Sequence, residues 1–382
     1  MELLNFMNAH EDWEQLLSQP PYCLTIKHDG DYVLLKYNQM LSDMTLEICL
    51  EARGAIFRQD NDGHWWCASY GLKKFFNYNE VYSDLKNIDW NNCRVSEKVD
   101  GSNIRIYMDN GIWRVSTLGC IDAFKAEFEN GLTYGDLVVK ACGGNLENLT
   151  KQLQPGFCYI FELTGPNRIV INYGDTPYLW YLGRRNQITF KENFDEVKFE
   201  GLTIFRPATF ELKTLAACIH AIETMGRDEE GYVVTSIDKN GEPHRVKMKG
   251  AEYLRLHGLR CNGTLTVTKV LKMWRANELD DFVSAFPDYQ EFVNSVFDGM
   301  NQLAEEIEYN YDEIIKTGGE RKDLARVAYT YIPPTPGYVF QRLDDKVESG
   351  LDYLNTLSIT RLSSYLARFV EDKDHVGVVE DE

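Results

Sequence analysis

The spacing of apolar residues changes once along this chain, and the change limits what it can become. Up to about residue 250, short alternating runs are split by Asp-Gly and Asn-Gly pairs, the mark of strands joined by tight turns. From Asp288 to Ile314 the apolar positions are Phe292, Val293, Val296, Phe297, Met300, Leu303, Ile307, Tyr311 and Ile314, which is helical spacing throughout. A chain of 382 residues has room for two domains. The pattern predicts an α+β protein: a strand-rich domain over 1–255 with flanking helices, an all-helical domain over 256–370, and an acidic, disordered tail over 371–382.

Within the first domain, residues 1–20 read as an amphipathic helix stopped by Pro20-Pro21. A hairpin follows across Asp29-Gly30, with a second strand pair over about 45–70. Glu97-Lys98-Val99-Asp100-Gly101-Ser102, leading into Ile104 and Ile106, reads as a strand, a tight Asp-Gly turn and the next strand. Residues 210–225 read as a helix ended by Gly226, and Asn240-Gly241 turns one late strand into another carrying Lys247 and Lys249 on one face. In the second domain, helices are predicted near 321–330, 338–354 and 358–370, with Pro333-Pro334-Thr335-Pro336 as a rigid joint.

Composition removes several classes. There is no run of eighteen apolar residues and no basic leader, so no membrane span or signal peptide is expected. The nine scattered cysteines include no Cys-x-x-Cys pair, which predicts reduced thiols and no zinc site. A net charge of −19 repels phosphates, so any nucleic acid must be met by a local basic patch.

Against that acidic background, Arg53, Lys74, Lys98, Glu162, Glu230, Lys247 and Lys249 each stand at the end or on one face of an apolar strand. Together they could form one site in which cations surround a triphosphate, one lysine is the nucleophile and carboxylates hold metal or ribose. Taken singly, Lys247 and Lys249 also fit the solvent face of an edge strand, Glu230 a turn, and Glu162 a buried partner of Arg168.

Lys98-Val99-Asp100-Gly101 resembles the Lys-x-Asp-Gly signature of enzymes that attach a nucleotide to their own lysine, and the ordered set narrows the likeness. Ala52-Arg53-Gly54, Lys74-Phe75-Phe76-Asn77, Phe161-Glu162 with Asn167-Arg168-Ile169-Val170, Glu230-Gly231-Tyr232-Val233, and Lys247-Met248-Lys249 with Tyr253 resemble the phage-type RNA ligase 1 family over residues 37–253. The resemblance implies a nucleotidyltransferase domain of antiparallel sheets. It implies ATP as cofactor, with AMP as a covalent intermediate on Lys98, and magnesium, with manganese as a substitute. It assigns Lys247 and Lys249 to the α-phosphate, Arg53, Lys74 and Tyr37 to other ATP contacts, Glu162 to a ribose hydroxyl, Glu230 to the metal and Tyr253 to ligation. Asp280 matches a metal ligand of the helical domain loosely.

By the same resemblance the partner is RNA, above all tRNA with a broken anticodon loop, sealed at 5′-phosphate and 3′-hydroxyl ends. An end-healing kinase or phosphatase would prepare those ends for a monomer in the cytosol, that of the host if virus-encoded. The basic residues Lys269, Lys272, Arg275, Arg321, Lys322 and Arg326 of the helical domain would choose the RNA, or else belong to ordinary solvated helix faces. A DNA ligase, an mRNA guanylyltransferase and an RNA sensor without turnover share part of this pattern. One departure stands out. The family's usual lysine in Ser/Thr-Lys-Gly is replaced in Thr117-Leu118-Gly119, so either Arg105, Arg114 or Lys125 substitutes for it or ATP is held less tightly.

Overall fold

Period-two runs can bury only one face each, so they assemble into sheets whose apolar faces are covered by helices. The computed structural model describes residues 1–39, 41–128, 131–166, 171–194, 197–226, 228–250, 253, 265–276, 279–285 and 287–370. The chain divides into two units, Met1–Leu256 and His257–Glu382. Asn167 to Val170 and the tail 371–382 lie outside the described residues.

The strands of the first unit are β1 (Thr25–Asp29), β2 (Tyr32–Lys36), β3 (Arg53–Gln59), β4 (Trp65–Ser69), β5 (Phe76–Asn77), β6 (Arg94–Glu97), β7 (Ser102–Asp109) and β8 (Ile112–Thr117). After these come β9 (Phe157–Thr164), β10 (Tyr178–Asn186), β11 (Glu192–Asn193), β12 (Ile204–Phe205), β13 (Thr209–Phe210), β14 (Gly231–Ile237) and β15 (Pro243–Lys249). They form three sheets: β1-β2-β3-β4; β11-β10-β9-β7-β8, with β12 beside β10; and β13-β6-β14-β15-β5. Pairing is antiparallel except at β10–β12 and β15–β5. This is the α+β architecture that the spacing predicted.

Each sheet has its own cover. The first buries Val33, Leu35, Ala55 and Phe57 against Leu3, Met7, Trp13 and Leu17 of helices Glu2–Ala9 and Trp13–Ser18, each large side chain contributing roughly 1.5–3 kcal/mol. The second packs Ile104, Ile106 and Phe161 against Leu137 and Val138 of helix Tyr134–Ala141. Thr133 starts that helix with a capping box to Asp136. The third packs Val234, Val246 and Met248 on Cys218 and Ile222 of helix Leu215–Glu223, capped by Thr214.

Four expectations change, the first being that residues 1–20 form two helices, Glu2–Ala9 and Trp13–Ser18, and not one. The Lys98 segment is not a hairpin: β6 pairs with β13 and β14, and β7 with β8 and β9, so the chain crosses from one sheet to another there. Gly101 permits the crossing, because a Cβ on it would lie 2.5 Å from the Leu163 carbonyl oxygen. The strand expected from about 45 begins only at Arg53, since Glu47–Glu51 closes into a helix. The helix expected over 338–354 is two, Thr335–Leu343 and Gly350–Thr356, parted near Asp345 at φ +51°.

In the second unit the 27-residue helix Gln290–Lys316 carries the core on Phe292, Val296, Met300, Leu303, Ile307 and Ile314. Gly350 lets the helix it begins approach closely, for its Cβ would fall 2.6 Å from the Ala304 carbonyl oxygen. Two of the basic residues expected to meet RNA have structural work: Arg275 donates to the Leu357 carbonyl and Arg321 pairs with Asp344. Among the described residues no helix is long and apolar enough to cross a membrane. Cys23, Cys49, Cys67, Cys93, Cys120, Cys142, Cys158 and Cys218 are free thiols.

Candidate active site

Lys98 follows β6 directly, and its backbone N–H donates to the Gly231 carbonyl at 2.8 Å, fixing it against the start of β14. Its ammonium lies 2.6 Å from Glu230 Oε1, which also meets Lys249 Nζ at 3.1 Å. The Glu230 side chain is only 2% exposed. Burial alone would raise that carboxyl, but the two ammonium groups outweigh it and hold it below the ordinary value. Its other oxygen, Oε2, is buried with no hydrogen-bond partner. Gly231 keeps the spacing tight, since at φ +148° a Cβ would sit 2.0 Å from the Met248 carbonyl oxygen of β15.

Lys247 and Lys249 are buried on β15, which lies between β14 and β5, so the solvent-face reading of an edge strand does not hold. Lys247 Nζ lies 5.6 Å from the centre of the Phe75 ring and Lys249 Nζ 5.2 Å from that of Tyr253. Tyr253 Oη donates to Asp100 Oδ1 at 3.2 Å, while Asp100 Oδ2 accepts from Ile171 N–H at 2.7 Å. The motif aspartate thus ties the segment after Lys98 to the stretch beyond β9 and to Tyr253.

Glu162, on β9, stands opposite Asn103 in the β7 register, and Asn103 Nδ2 donates to its Oε2 at 3.4 Å. Burial, aided by Glu230 and opposed by Lys98, pushes this carboxyl up to about 7. Arg168, its alternative ion-pair partner, lies outside the described residues.

A second cluster sits where β2 and β3 meet. Arg53 places its guanidinium 5.4 Å from the Phe75 ring centre, with Nε and Nη1 buried and without partners. Lys74 Nζ lies 5.2 Å from the ring centres of Tyr37 and Phe76. Phe75 therefore links the clusters, its ring lying near both the Arg53 guanidinium and Lys247 Nζ. Asp280 belongs to helix Leu279–Ala285 of the second unit. Among the described residues no group of three or more His, Cys, Asp or Glu side chains is arranged to hold a metal ion. The lone buried Oε2 of Glu230 suits a hard divalent ion that takes most of its ligands from phosphates and water.

Asp100 and Asn103, which meet Tyr253 and Glu162, and Lys36, which pairs across the strands with Arg53, were not among the residues singled out from the sequence. Lys36 had a signal, a cation ending the apolar run Tyr32-Val33-Leu34-Leu35. Asn103 had none, because only the β7–β9 register sets it against Glu162.

The chain matches the family described as RNA ligase over residues 51–254. It is 29% identical over 305 residues to a protein of Autographa californica nuclear polyhedrosis virus named for both polynucleotide kinase and RNA ligase, a match covering 74% of this chain and 41% of that protein. It thus spans about two fifths of that relative's length. It is 27% identical over 353 residues to the RNA ligase of Rhodothermus phage RM378, covering 77% and 79% of the two chains. An archaeal ATP-dependent RNA ligase structure superposes at a TM-score of 0.41 with 11% identity, covering 87% of this chain and 95% of that one, too loose a likeness to bear on the argument. The match over more than half its length places the chain in the phage-type RNA ligase family.

Proposed function

We propose that the protein is an ATP-dependent RNA ligase that joins 5′-phosphate and 3′-hydroxyl ends through lysyl-AMP on Lys98. The observation that carries this reading is the Lys98–Glu230–Lys249 cluster: a nucleophilic amine 2.6 Å from a buried carboxylate, with a second ammonium 3.1 Å from the same oxygen. The Lys98 amine gives up its proton and forms a bond to the α-phosphorus of ATP, as the bond from that phosphorus to the pyrophosphate oxygen breaks. Lys247 and Lys249 balance charge growing on the α-phosphate. Arg53 and Lys74 hold the outer phosphates, Tyr37 borders them, and Glu162 accepts a hydrogen bond from the ribose. AMP then passes to the RNA 5′-phosphate, where it becomes a good leaving group for attack by the 3′-hydroxyl.

Glu230 Oε2 would hold magnesium or manganese, which when bound neutralises phosphate charge. Tyr253, locked between Lys249 and Asp100, serves the sealing step. Residues 1–255 then form the adenylyltransferase domain and 256–370 the domain that selects RNA, through Lys269, Lys272, Lys322 and Arg326. Asp280 is kept as a metal ligand of that domain. The proposed substrate is tRNA broken in its anticodon loop, prepared by an end-healing kinase or phosphatase in the host cytosol.

The test is incubation of the full chain with ATP and a nicked anticodon stem-loop bearing those ends. Sealed RNA, with an RNA-adenylate seen beforehand, supports the reading; labelled protein that never passes AMP to RNA contradicts it. Equal sealing of a linear strand would remove the tRNA assignment alone.

A further inference from the structure

The three residues that could replace a lysine at Leu118 are committed elsewhere. Arg105 is fully buried, its guanidinium donating to the carbonyls of Gly54 and Thr117. Arg114 lies over the Tyr32 ring, 4.5 Å from its centre, and Lys125 grips Asp29 at 2.6 Å. Lys27, the other nearby cation, donates to the Gly119 carbonyl at 2.9 Å.

Lys36 remains. It ends β2 and is the cross-strand partner of Arg53, just past a β-bulge. The next residue on β3, Gly54, touches the backbone of Leu118 so closely that a Cβ would fall 2.4 Å from the Leu118 carbonyl oxygen. A cation at position 36, ending β2, and one at position 118, just past β8, would thus approach the same ground. Among the described residues the Lys36 ammonium has neither a hydrogen bond nor a carboxylate partner, and the groups acting on it are Lys27 on β1, Arg53 on β3 and Lys74 before β5, all cations. Burial first, then these like charges, lowers it to about 8. Holding the unpartnered Lys36 ammonium among like charges is costly unless an anion of several charges is to bind there. The unpartnered Nε and Nη1 of Arg53 mark the same spot.

We propose that Lys36 is a triphosphate-binding residue of this ligase, engaging the β- and γ-phosphates of ATP with Arg53 and Lys74 in place of a cation at Leu118. The proposal rests on the adenylyltransferase reading above. It makes Lys36 matter only while pyrophosphate is still attached, in lysine adenylylation, and not when AMP is already on RNA.

The test compares full-length protein with Lys36→Met, Lys36→Arg and the double variant Lys36→Met with Leu118→Lys. Two reactions are followed: adenylylation of Lys98 as a function of ATP, and sealing of pre-adenylylated RNA without ATP. Lys36→Met should raise KM for ATP by about 10- to 100-fold, the scale of one charge-assisted contact, and leave the second reaction unchanged. Leu118→Lys should recover most of that loss. A merely structural role would weaken both reactions together and would not be rescued from position 118, and either result overturns the proposal. If Lys36→Met does not fold, Lys36→Arg decides. Its KM for ATP should stay flat from pH 7 to 9 while that of the unaltered chain rises through about 8, and parallel profiles refute it. Unaltered protein that takes no AMP from ATP would sink the ligase reading itself. Normal adenylylation with an unchanged KM in Lys36→Met would sink only the part given to Lys36.

Discussion

Two buried clusters in the first unit have the same make-up, a carboxylate between two cations, and opposite valence. In one, Glu192 is enclosed by Arg185 and Arg245: its Oε1 accepts from both guanidinium groups and its Oε2 from Arg245. Arg185 also donates to the carbonyls of Gly71 and Phe190. Both carboxylate oxygens are used, and the cluster ties β10, β11 and β15 together. In the other, Lys98 and Lys249 both meet Glu230 Oε1, and Oε2 is left over. A buried charge is tolerable when its hydrogen bonds are complete, so an incomplete one marks a place where a ligand finishes the set. The choice of cation agrees: planar guanidinium closes a structural knot, while an amine can lose its proton and attack.

The largest effect that separates the clusters falls on Lys98. Lys98→Ala and Lys98→Arg should both lose covalent AMP completely while remaining folded, as read by circular dichroism. Measurable adenylylation by either would break the assignment of the nucleophile.

Next come the two carboxylates, each changed to its amide. Glu230→Gln should slow adenylylation by about 10²–10³-fold, the usual cost of one preorganised electrostatic contact, with a smaller loss of stability than Glu192→Gln because the Lys98 side chain is 22% exposed. Glu192→Gln should lower unfolding free energy by roughly 3–5 kcal/mol, because two buried guanidinium groups lose their counter-charge, while the folded fraction adenylylates normally. Exchanged outcomes would show that the leftover valence of Glu230 carries no function.

Much of this site could be read from the chain because its chemistry depends on residue type within short motifs: Lys98, Glu230, Lys247 and Lys249 stand in continuous strings beside turns. What could not be read depends on register and crossing. Nothing in Asp100-Gly101 says that the strands on either side belong to different sheets; that follows from β14 pairing with β6 and β9 with β7. Lys36 ends an apolar strand as unremarkably as many lysines do, and only its pairing with Arg53 sets it among cations. The helices of the second unit were legible from spacing, but the break near Asp345 follows from local backbone geometry that apolar periodicity does not encode.

A smaller effect sharpens the comparison through pH. Glu162 titrates at about 7 in the folded chain against an ordinary 4.5, so the native state binds the extra proton between those values. Stability should therefore fall as pH rises through that window, by no more than about 3 kcal/mol. Glu162→Gln should flatten that part of the profile, read from unfolding midpoints at pH 5 and 8, whereas Glu192→Gln should leave it in place. An unchanged slope in Glu162→Gln would contradict the protonated state assigned to that carboxyl. Smallest of all, Tyr253→Phe removes one buried hydrogen bond to Asp100 and should cost about 1 kcal/mol of stability, read from denaturant midpoints.

The most direct measurement is to incubate the unaltered protein with ATP and a divalent ion, digest it under conditions that preserve phosphoramidates, and map the adenylylated peptide by mass spectrometry, with GTP in parallel. AMP should appear on Lys98 alone, formed from ATP with no GMP from GTP, and should be discharged when pyrophosphate is added. AMP on any other lysine, or guanylylation in preference to adenylylation, would contradict the proposed mechanism.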